Sequence, residues 1–288
     1  MPDKTALVVC GPTASGKSEL SDALADSLTE DHGRHVPTLV VDSMQVYREL
    51  PVITNQARRR SAELVGIVSV TDDWNVANHR ARADDMTEPE ATTHFVLDAG
   101  TGMYLNALLL DFPLAPRVPP ELRKQAQVEA ADEPNPRRAA RARELDLAGA
   151  RARGSIWDGV LRYETAIVYL RPERHQIDAA IADRSRKIAR HGYQEARLLK
   201  EMAEHGAEIS SQVMESVGVR ELTQYLSGIS TLQQAEDRIS TRTRRFARRQ
   251  IRWFDKLVRT LEGRAKITVL SDRQQMASPH SMHDILGA

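Results

Sequence analysis

The chain has 288 residues, 41% of them hydrophobic and 28% charged, enough for one large domain, or one with a smaller companion, around its own core. Lys+Arg and Asp+Glu each total 40, so a nucleic-acid partner has to be held by a local basic patch and not by net charge. The single cysteine, Cys10, excludes an intrachain disulfide and a cysteine metal cluster. No apolar stretch approaches the roughly 20 residues that span a bilayer. The first ten residues run too quickly into a glycine turn to be a secretory leader, so no membrane attachment and a cytoplasmic location are expected.

Ala6-Leu7-Val8-Val9-Cys10 predicts a strand with Cys10 buried at its end. Gly11-Pro12 stops it, and Leu20, Ala23, Leu24 and Leu28 then recur at helical spacing. Thr38–Val41 predicts a second strand ending at Asp42. His94–Leu97 predicts a third, running into Asp98-Ala99-Gly100-Thr101-Gly102 before a helix over Met103–Leu110. Residues 117–153, rich in Pro, Arg, Ala and Glu, predict a mobile or helical insertion. Ala166–Leu170 predicts a fourth strand, with helices from Glu173 onward, among them a long basic amphipathic helix over Asp237–Leu261. The last ~20 residues lack sustained periodicity.

Strands alternating with helices imply an α/β fold, a parallel sheet flanked by helices on both faces, here with a helical insertion and a helical C-terminal part. The expected organisation is a P-loop core over 1–116, a divergent insertion over 117–160, the remainder of the core with basic helices over 161–265, and a tail over 266–288.

Gly11-Pro12-Thr13-Ala14-Ser15-Gly16-Lys17-Ser18 fits G-x4-G-K-[ST] between a strand and a helix. Glycines let successive backbone N–H groups converge on phosphate oxygens, and the helix N-terminus adds partial positive charge. Lys17 is expected to pair with phosphate oxygens and the Ser18 hydroxyl to ligate Mg2+. The loop speaks for diphosphate binding and leaves the reaction open. A nucleotide kinase or NTPase would carry the same loop, and Asp42 and Asp98 both have the strand-end placement that helps hold Mg2+ in such enzymes.

Five collinear segments resemble one family, the tRNA dimethylallyltransferases or tRNA isopentenyltransferases. They are GPTASGKS at the loop; Asp42-Ser43-Met44-Gln45-Val46-Tyr47-Arg48, similar to "DSMQVYRG"; Ala99-Gly100-Thr101-Gly102-Met103-Tyr104, similar to "GGTGLY"; Ser216-Val217-Gly218-Val219-Arg220-Glu221-Leu222, similar to "AIGYKEL"; and the stretch from Thr243 to Phe254, similar to "TRQYAKRQLTWF". The resemblance implies transfer of a dimethylallyl group from dimethylallyl diphosphate to the exocyclic amine of an adenine. The acceptor is the tRNA adenosine next to the anticodon, or a free adenine nucleotide as in the cytokinin-forming relatives. It implies that Gly11, Thr13, Ala14, Ser15, Gly16, Lys17 and Ser18 hold the diphosphate with Arg184. It also makes Asp42 the general base, places Thr101 at the bridging or leaving oxygen, and puts Ser43, Gln45 and Tyr47 on the acceptor side. From the residues alone, Thr101 is also a helix N-cap candidate and Arg184 an ordinary solvated charge.

Arg242 to Lys266 carries ten Lys or Arg against Asp255 and Glu262, a patch suited to a phosphate backbone, with Arg244, Arg248 and Arg249 as candidate contacts. Phe246, Trp253 and Phe254 recur near helical spacing and read as core. The sequence departs from the family at its "HHLID", at "GTAKP", where Ile53-Thr54-Asn55-Gln56-Ala57-Arg58 stands, and in the insertion, where Asn135–Leu145 is a short, degenerate counterpart of the acceptor clamp. These departures bear on the acceptor, and a P-loop kinase or a weakened RNA-binding relative remain alternatives. A monomer is expected.

Overall fold

Continuous apolar runs, rich in β-branched residues, build a sheet covered on both faces. The structure, a computed structural model, describes residues 4–116, 118–134, 136–150 and 154–271. Strand β1 (Thr5–Cys10) lies in the middle of a sheet with β2 (Thr38–Val41), β3 (His94–Ala99), β6 (Glu164–Leu170) and β7 (Lys266–Leu270), in the order β2-β3-β1-β6-β7. Every pairing is parallel. Apart from Thr5, β1 is buried throughout, as a strand covered on both faces must be. Leu7 and Val9 share one core with Val96, Val168 and Leu170 and with Leu20, Leu24 and Leu28 of helix α1 (Lys17–His32). Fully burying one such leucine contributes about 1.5–3 kcal/mol.

The remaining elements follow the chain. Helix α2 (Val76–Thr87) precedes β3, with the Asn75 side chain capping it. Helix α3 (Gly102–Leu109) follows β3, and the two-residue strands β4 (Leu110–Asp111) and β5 (Val160–Leu161) pair with each other. Between them lie α4 (Pro120–Glu129) and α5 (Pro136–Leu147). After β6 come α6 (Arg174–His191), α7 (Tyr193–Glu204), α8 (Ser211–Met214), α9 (Val219–Leu226) and α10 (Leu232–Leu261).

The chain divides into two compact units, Met1–Leu109 with Leu161–Ala288, and Leu110–Val160. In the second unit α4 packs on α5, burying Ala126, Ala130 and Ala140, so this insertion is helical. It starts at Leu110, earlier than the expected 117, because the strand pair forms before the prolines begin. Gly159 allows that closure, since a Cβ there would lie 2.6 Å from the Asp111 carbonyl oxygen.

Two expectations need correcting. The basic helix starts at Leu232, because Thr231 and Gln234 form a reciprocal capping box that the charge pattern does not reveal. Lys266–Leu270 is not tail but the edge strand β7, paired in register with Ala166–Leu170. With Lys266 and Val269 exposed and only Leu270 fully buried, it lacks the continuous apolar run by which the other strands are read. The rest of the expected tail, beyond Ser271, lies outside the described residues, as do Asn135 and 151–153 of the insertion.

Ile53 seats the segment after β2 against the C-terminal helices. A Cβ on Gly192 would lie 2.8 Å from Ile53 Cγ1, and one on Gly218 would lie 2.8 Å from Ile53 Cγ2. Gly218 also holds φ of 99°, a left-handed value that side chains resist. Gly218→Ala is expected to lower stability by about 1–3 kcal/mol in urea unfolding. An unchanged midpoint would show the socket to be loose.

Candidate functional site

The strand register brings the site together. Cys10 and Val41 both pair with Ala99, so Gly11, Asp42 and Gly100 leave the sheet side by side at its carboxyl edge. In an open parallel sheet this edge is where ligands bind. Cys10 itself is a free, buried cysteine whose thiol is pushed up by burial.

The loop from Gly11 to Ser18 closes tightly. A Cβ on Gly11 would lie 2.5 Å from the Leu170 carbonyl oxygen. Ala14 has φ of 64° and Gly16 φ of 92°, left-handed positions that curl the loop. Gly16 is the N-cap of α1 and no side chain caps that helix, so its first-turn N–H groups have no intrahelical partner. The Ser15 hydroxyl is buried without a hydrogen-bond partner. An orphaned hydroxyl within a curled loop at an uncapped helix start fits a polyanion. Lys17 Nζ donates to the Pro12 carbonyl at 3.0 Å. Burial lowers the Lys17 pKa, and the carboxylates of Asp98 and Asp42 oppose that shift.

Asp42 is fixed by its own turn. Its Oδ1 accepts the N–H of Met44 at 2.8 Å and of Gln45 at 3.3 Å. Its Oδ2 lies where only glycine fits, since a Cβ on Gly100 would be 2.7 Å away. Burial raises the Asp42 pKa, against those two hydrogen bonds and the charges of Lys17 and Arg184. Thr101 Oγ1 accepts the Ser43 N–H at 3.1 Å, which leaves its hydroxyl proton for another oxygen. The Thr101 carbonyl accepts the Leu105 N–H at 3.0 Å, so its backbone starts α3 while its side chain is turned toward the Asp42 segment.

Arg184 reaches in from α6. Its Nη1 donates to Thr13 Oγ1 at 2.9 Å and its Nη2 to the Thr54 carbonyl at 3.4 Å. It is half-buried with both guanidinium nitrogens bonded, so this is not a solvated helix charge; desolvation lowers its pKa and Asp42 opposes the shift. The structure thus gathers Lys17, Asp42, Thr101, Arg184 and the loop.

Three further features escape a reading of the sequence. Gln250 of α10 latches two of the strand-end loops: its Oε1 accepts the Thr13 N–H at 2.8 Å, and its Nε2 donates to the Gly100 carbonyl at 2.7 Å. Glu195 accepts the Val52 N–H at 2.6 Å and the Ile53 N–H at 2.9 Å, fixing the turn whose Thr54 carbonyl meets Arg184. Arg58 is buried between Asp22 and Asp98 at 2.6 Å from each. For Gln250 a signal existed: a polar residue on the inner face of an amphipathic helix.

The expected acceptor residues are placed differently. Ser43 and Gln45 are half-buried beside Asp42. Tyr47 is 0% exposed, so its ring faces the interior and does not present itself to an acceptor. Arg248 and Arg249 lie exposed on α10, Arg249 with its guanidinium 5.7 Å from the Phe246 ring centre. Arg248 is two residues from Gln250 and therefore nearly opposite it around the helix, so it does not join the strand-end cluster. Arg244 is half-buried and pairs with Asp178 at 3.3 Å. Phe254 is core. Trp253 is half-buried, donating to Asn106 at 3.1 Å and filling the space where a Cβ on Gly102 would be. Phe246 is half-buried.

Comparison with known proteins bears on the family and the fold. A family model described as IPP transferase matches residues 45–153 and 131–257. The tRNA dimethylallyltransferase of Rubrobacter xylanophilus is 58% identical over 285 residues, covering 98% of this chain and 98% of that protein. That of Thermobifida fusca is 31% identical over 285 residues, covering 87% of this chain and 86% of its own. The full-length tRNA isopentenylpyrophosphate transferase of Bacillus halodurans superposes with a TM-score of 0.69 at 24% identity, covering 99% of this chain and 96% of that one. A eukaryotic dimethylallyltransferase acting on tRNA superposes with a TM-score of 0.71 at 20% identity, covering 98% of this chain and 78% of that one, and these two structures speak for the fold. By the family model and by relatives that match it along nearly its whole length, the chain belongs to the tRNA dimethylallyltransferase (IPP transferase) family.

Proposed function

We propose that this enzyme transfers the dimethylallyl group of dimethylallyl diphosphate to the exocyclic amine of the tRNA adenosine next to the anticodon, releasing diphosphate. The observation that carries the reading is the register, which sets a half-buried carboxylate, Asp42, beside a phosphate loop and a threonine hydroxyl. The amine lone pair forms a bond to the first carbon of the donor, the carbon–oxygen bond breaks, and its electrons leave on the diphosphate. Lys17, Arg184 and the loop amides meet that growing charge in place, and the Thr101 hydroxyl is free to donate to the departing oxygen. Asp42 takes the proton from the amine; its raised pKa makes it a stronger base near neutrality.

The donor set around the loop suits Mg2+. The Ser18 hydroxyl is a hard oxygen ligand of the kind Mg2+ takes, and no cluster of three or more His, Cys, Asp or Glu competes among the described residues. When bound, the ion would neutralise diphosphate charge.

The exposed cations of α10 support a tRNA acceptor over a free nucleotide, as does the family relationship. Arg245, Arg249, Arg252, Lys256 and Arg259 recur at helical spacing along its outer side, with Arg248 next to them. Helix α5, with Arg138, Arg141 and Arg143, would add to the choice of acceptor. All the gathered groups come from one chain, so a monomer suffices. No helix among the described residues is long and apolar enough to cross a membrane, and action in the cytoplasm fits that.

Labelled dimethylallyl diphosphate, incubated with unmodified tRNA and AMP together, is expected to label the RNA alone; label in AMP alone would overturn the tRNA reading. Asp42→Asn is expected to lower kcat by about 10²–10⁴-fold. The same change should stabilise the fold at alkaline pH. A carboxyl with a raised pKa binds its proton more tightly in the folded state, so its contribution is fully present below the ordinary carboxylate pKa and is lost as pH rises through the raised one. Asparagine avoids that loss, so the Tm of Asp42→Asn should exceed wild type at pH 8 and converge with it near pH ~4. Arg248→Ala and Arg249→Ala should each reduce the salt slope of tRNA binding by about one. Equal slopes in wild type and variants would remove α10 from the interface.

A further inference from the structure

The Asp22–Arg58–Asp98 cluster has no part in the steps above. Arg58 Nη1 donates to Asp98 Oδ2 at 2.6 Å, and Nη2 to Asp22 Oδ1 at 2.6 Å and to the Ser18 carbonyl at 3.4 Å. The side chains of Arg58, Asp22 and Asp98 are 4%, 2% and 4% exposed. Burial of this depth is tolerated only where each charge is paired and hydrogen-bonded.

Two carboxylates around one guanidinium leave one negative charge over. The cluster lies at the start of the phosphate helix: Asp98 pairs in register with Val9 of β1, Arg58 reaches the carbonyl of Ser18 next to Lys17, and Asp98 is the largest favourable charge acting on that lysine. Lys17, Asp98, Arg58 and Asp22 therefore make a row of alternating sign that sums to zero and ends on the lysine of the phosphate loop. The row ties together α1, the end of β3 and the segment after β2. Arg58 comes from the segment in which this sequence departs from the family's "GTAKP".

A strand-end carboxylate beside a phosphate loop has competing uses: it can capture the loop lysine, or it can hold a metal ion. Arg58 denies Asp98 both, through short charge-assisted bonds made by a planar fork that bridges two acids. Without the guanidinium, Lys17 would be the one cation left beside Asp98 in this row.

We propose that Arg58 is a positioning residue of the diphosphate site: by holding Asp98 and Asp22 it keeps Asp98 from capturing Lys17, so that the lysine stays directed at the donor's diphosphate. This rests on the reading of Gly11–Ser18 as the donor's diphosphate cradle.

The test is calorimetric titration of inorganic diphosphate with magnesium into wild type, Arg58→Met, Arg58→Met/Asp98→Asn and Lys17→Met, alongside donor kinetics and Tm. Arg58→Met is expected to raise the Kd for diphosphate and the KM for dimethylallyl diphosphate by about tenfold, with kcat less affected. Adding Asp98→Asn removes the captor and should return Kd to within about threefold of wild type. Should Arg58→Met fail to fold, Arg58→Gln carries the same test, since a neutral amide can hydrogen-bond the acids without pairing the charge of either. A folded Arg58 variant with lowered Tm but wild-type Kd, or a double variant no better than the single, overturns the proposal and leaves the cradle reading standing. Wild type that does not bind diphosphate, or Lys17→Met that binds it as wild type does, removes the cradle reading and this proposal with it.

Discussion

Three parallel strands ending in step are the constraint on which the site depends. Because Cys10 and Val41 both pair with Ala99, the phosphate loop, the carboxylate and the threonine leave the sheet as neighbours with no long excursion to place them. Glycine then decides how near they come. Gly11 lies against the Leu170 carbonyl and Gly100 against the Asp42 carboxylate, at separations that admit no side chain. The packing of α1 on the sheet supplies the energy that holds this edge in register, and the Gln250 amide fastens two of the loops from above.

Electrostatics at this edge is a set of opposed burials. Desolvation lowers the Lys17 and Arg184 pKa values and raises that of Asp42, so each of the three is pushed toward neutrality and each is helped by a neighbour of opposite sign. Two cations against one acid leave a positive surplus in a partly dry site, which is what an incoming diphosphate meets. Asp98 also acts on Lys17, and its carboxylate is held in place by a short ion pair with Arg58.

Much of this could be read from the sequence, for reasons specific to each part. Four of the five sheet strands announce themselves as apolar β-branched runs, and the phosphate loop is legible because its chemistry demands glycines and a lysine at fixed spacing. Asp42 and Thr101 are marked by position at strand ends and by resemblance. What stays hidden depends on contacts between distant residues. Gln250 lies 237 residues from Thr13, and Arg58 lies 36 and 40 residues from its two acids; a polar residue on an inner helix face marks the first as unusual, but no local pattern names the partners of either. Strand β7 is short and on an edge, and the start of α10 is set by a two-residue cap. Tyr47 shows the converse: a motif places it beside the acceptor residues, while packing turns its ring inward.

Cys10 ends the strand that opens into the phosphate loop, and it is the chain's single thiol. Closed within the sheet, it is shielded from any reagent in solution until β1 parts from its neighbours. Any thiol-specific label the native protein accepts is therefore a clock on the opening of that edge, and the rate of labelling counts excursions of the catalytic framework itself, without an engineered probe.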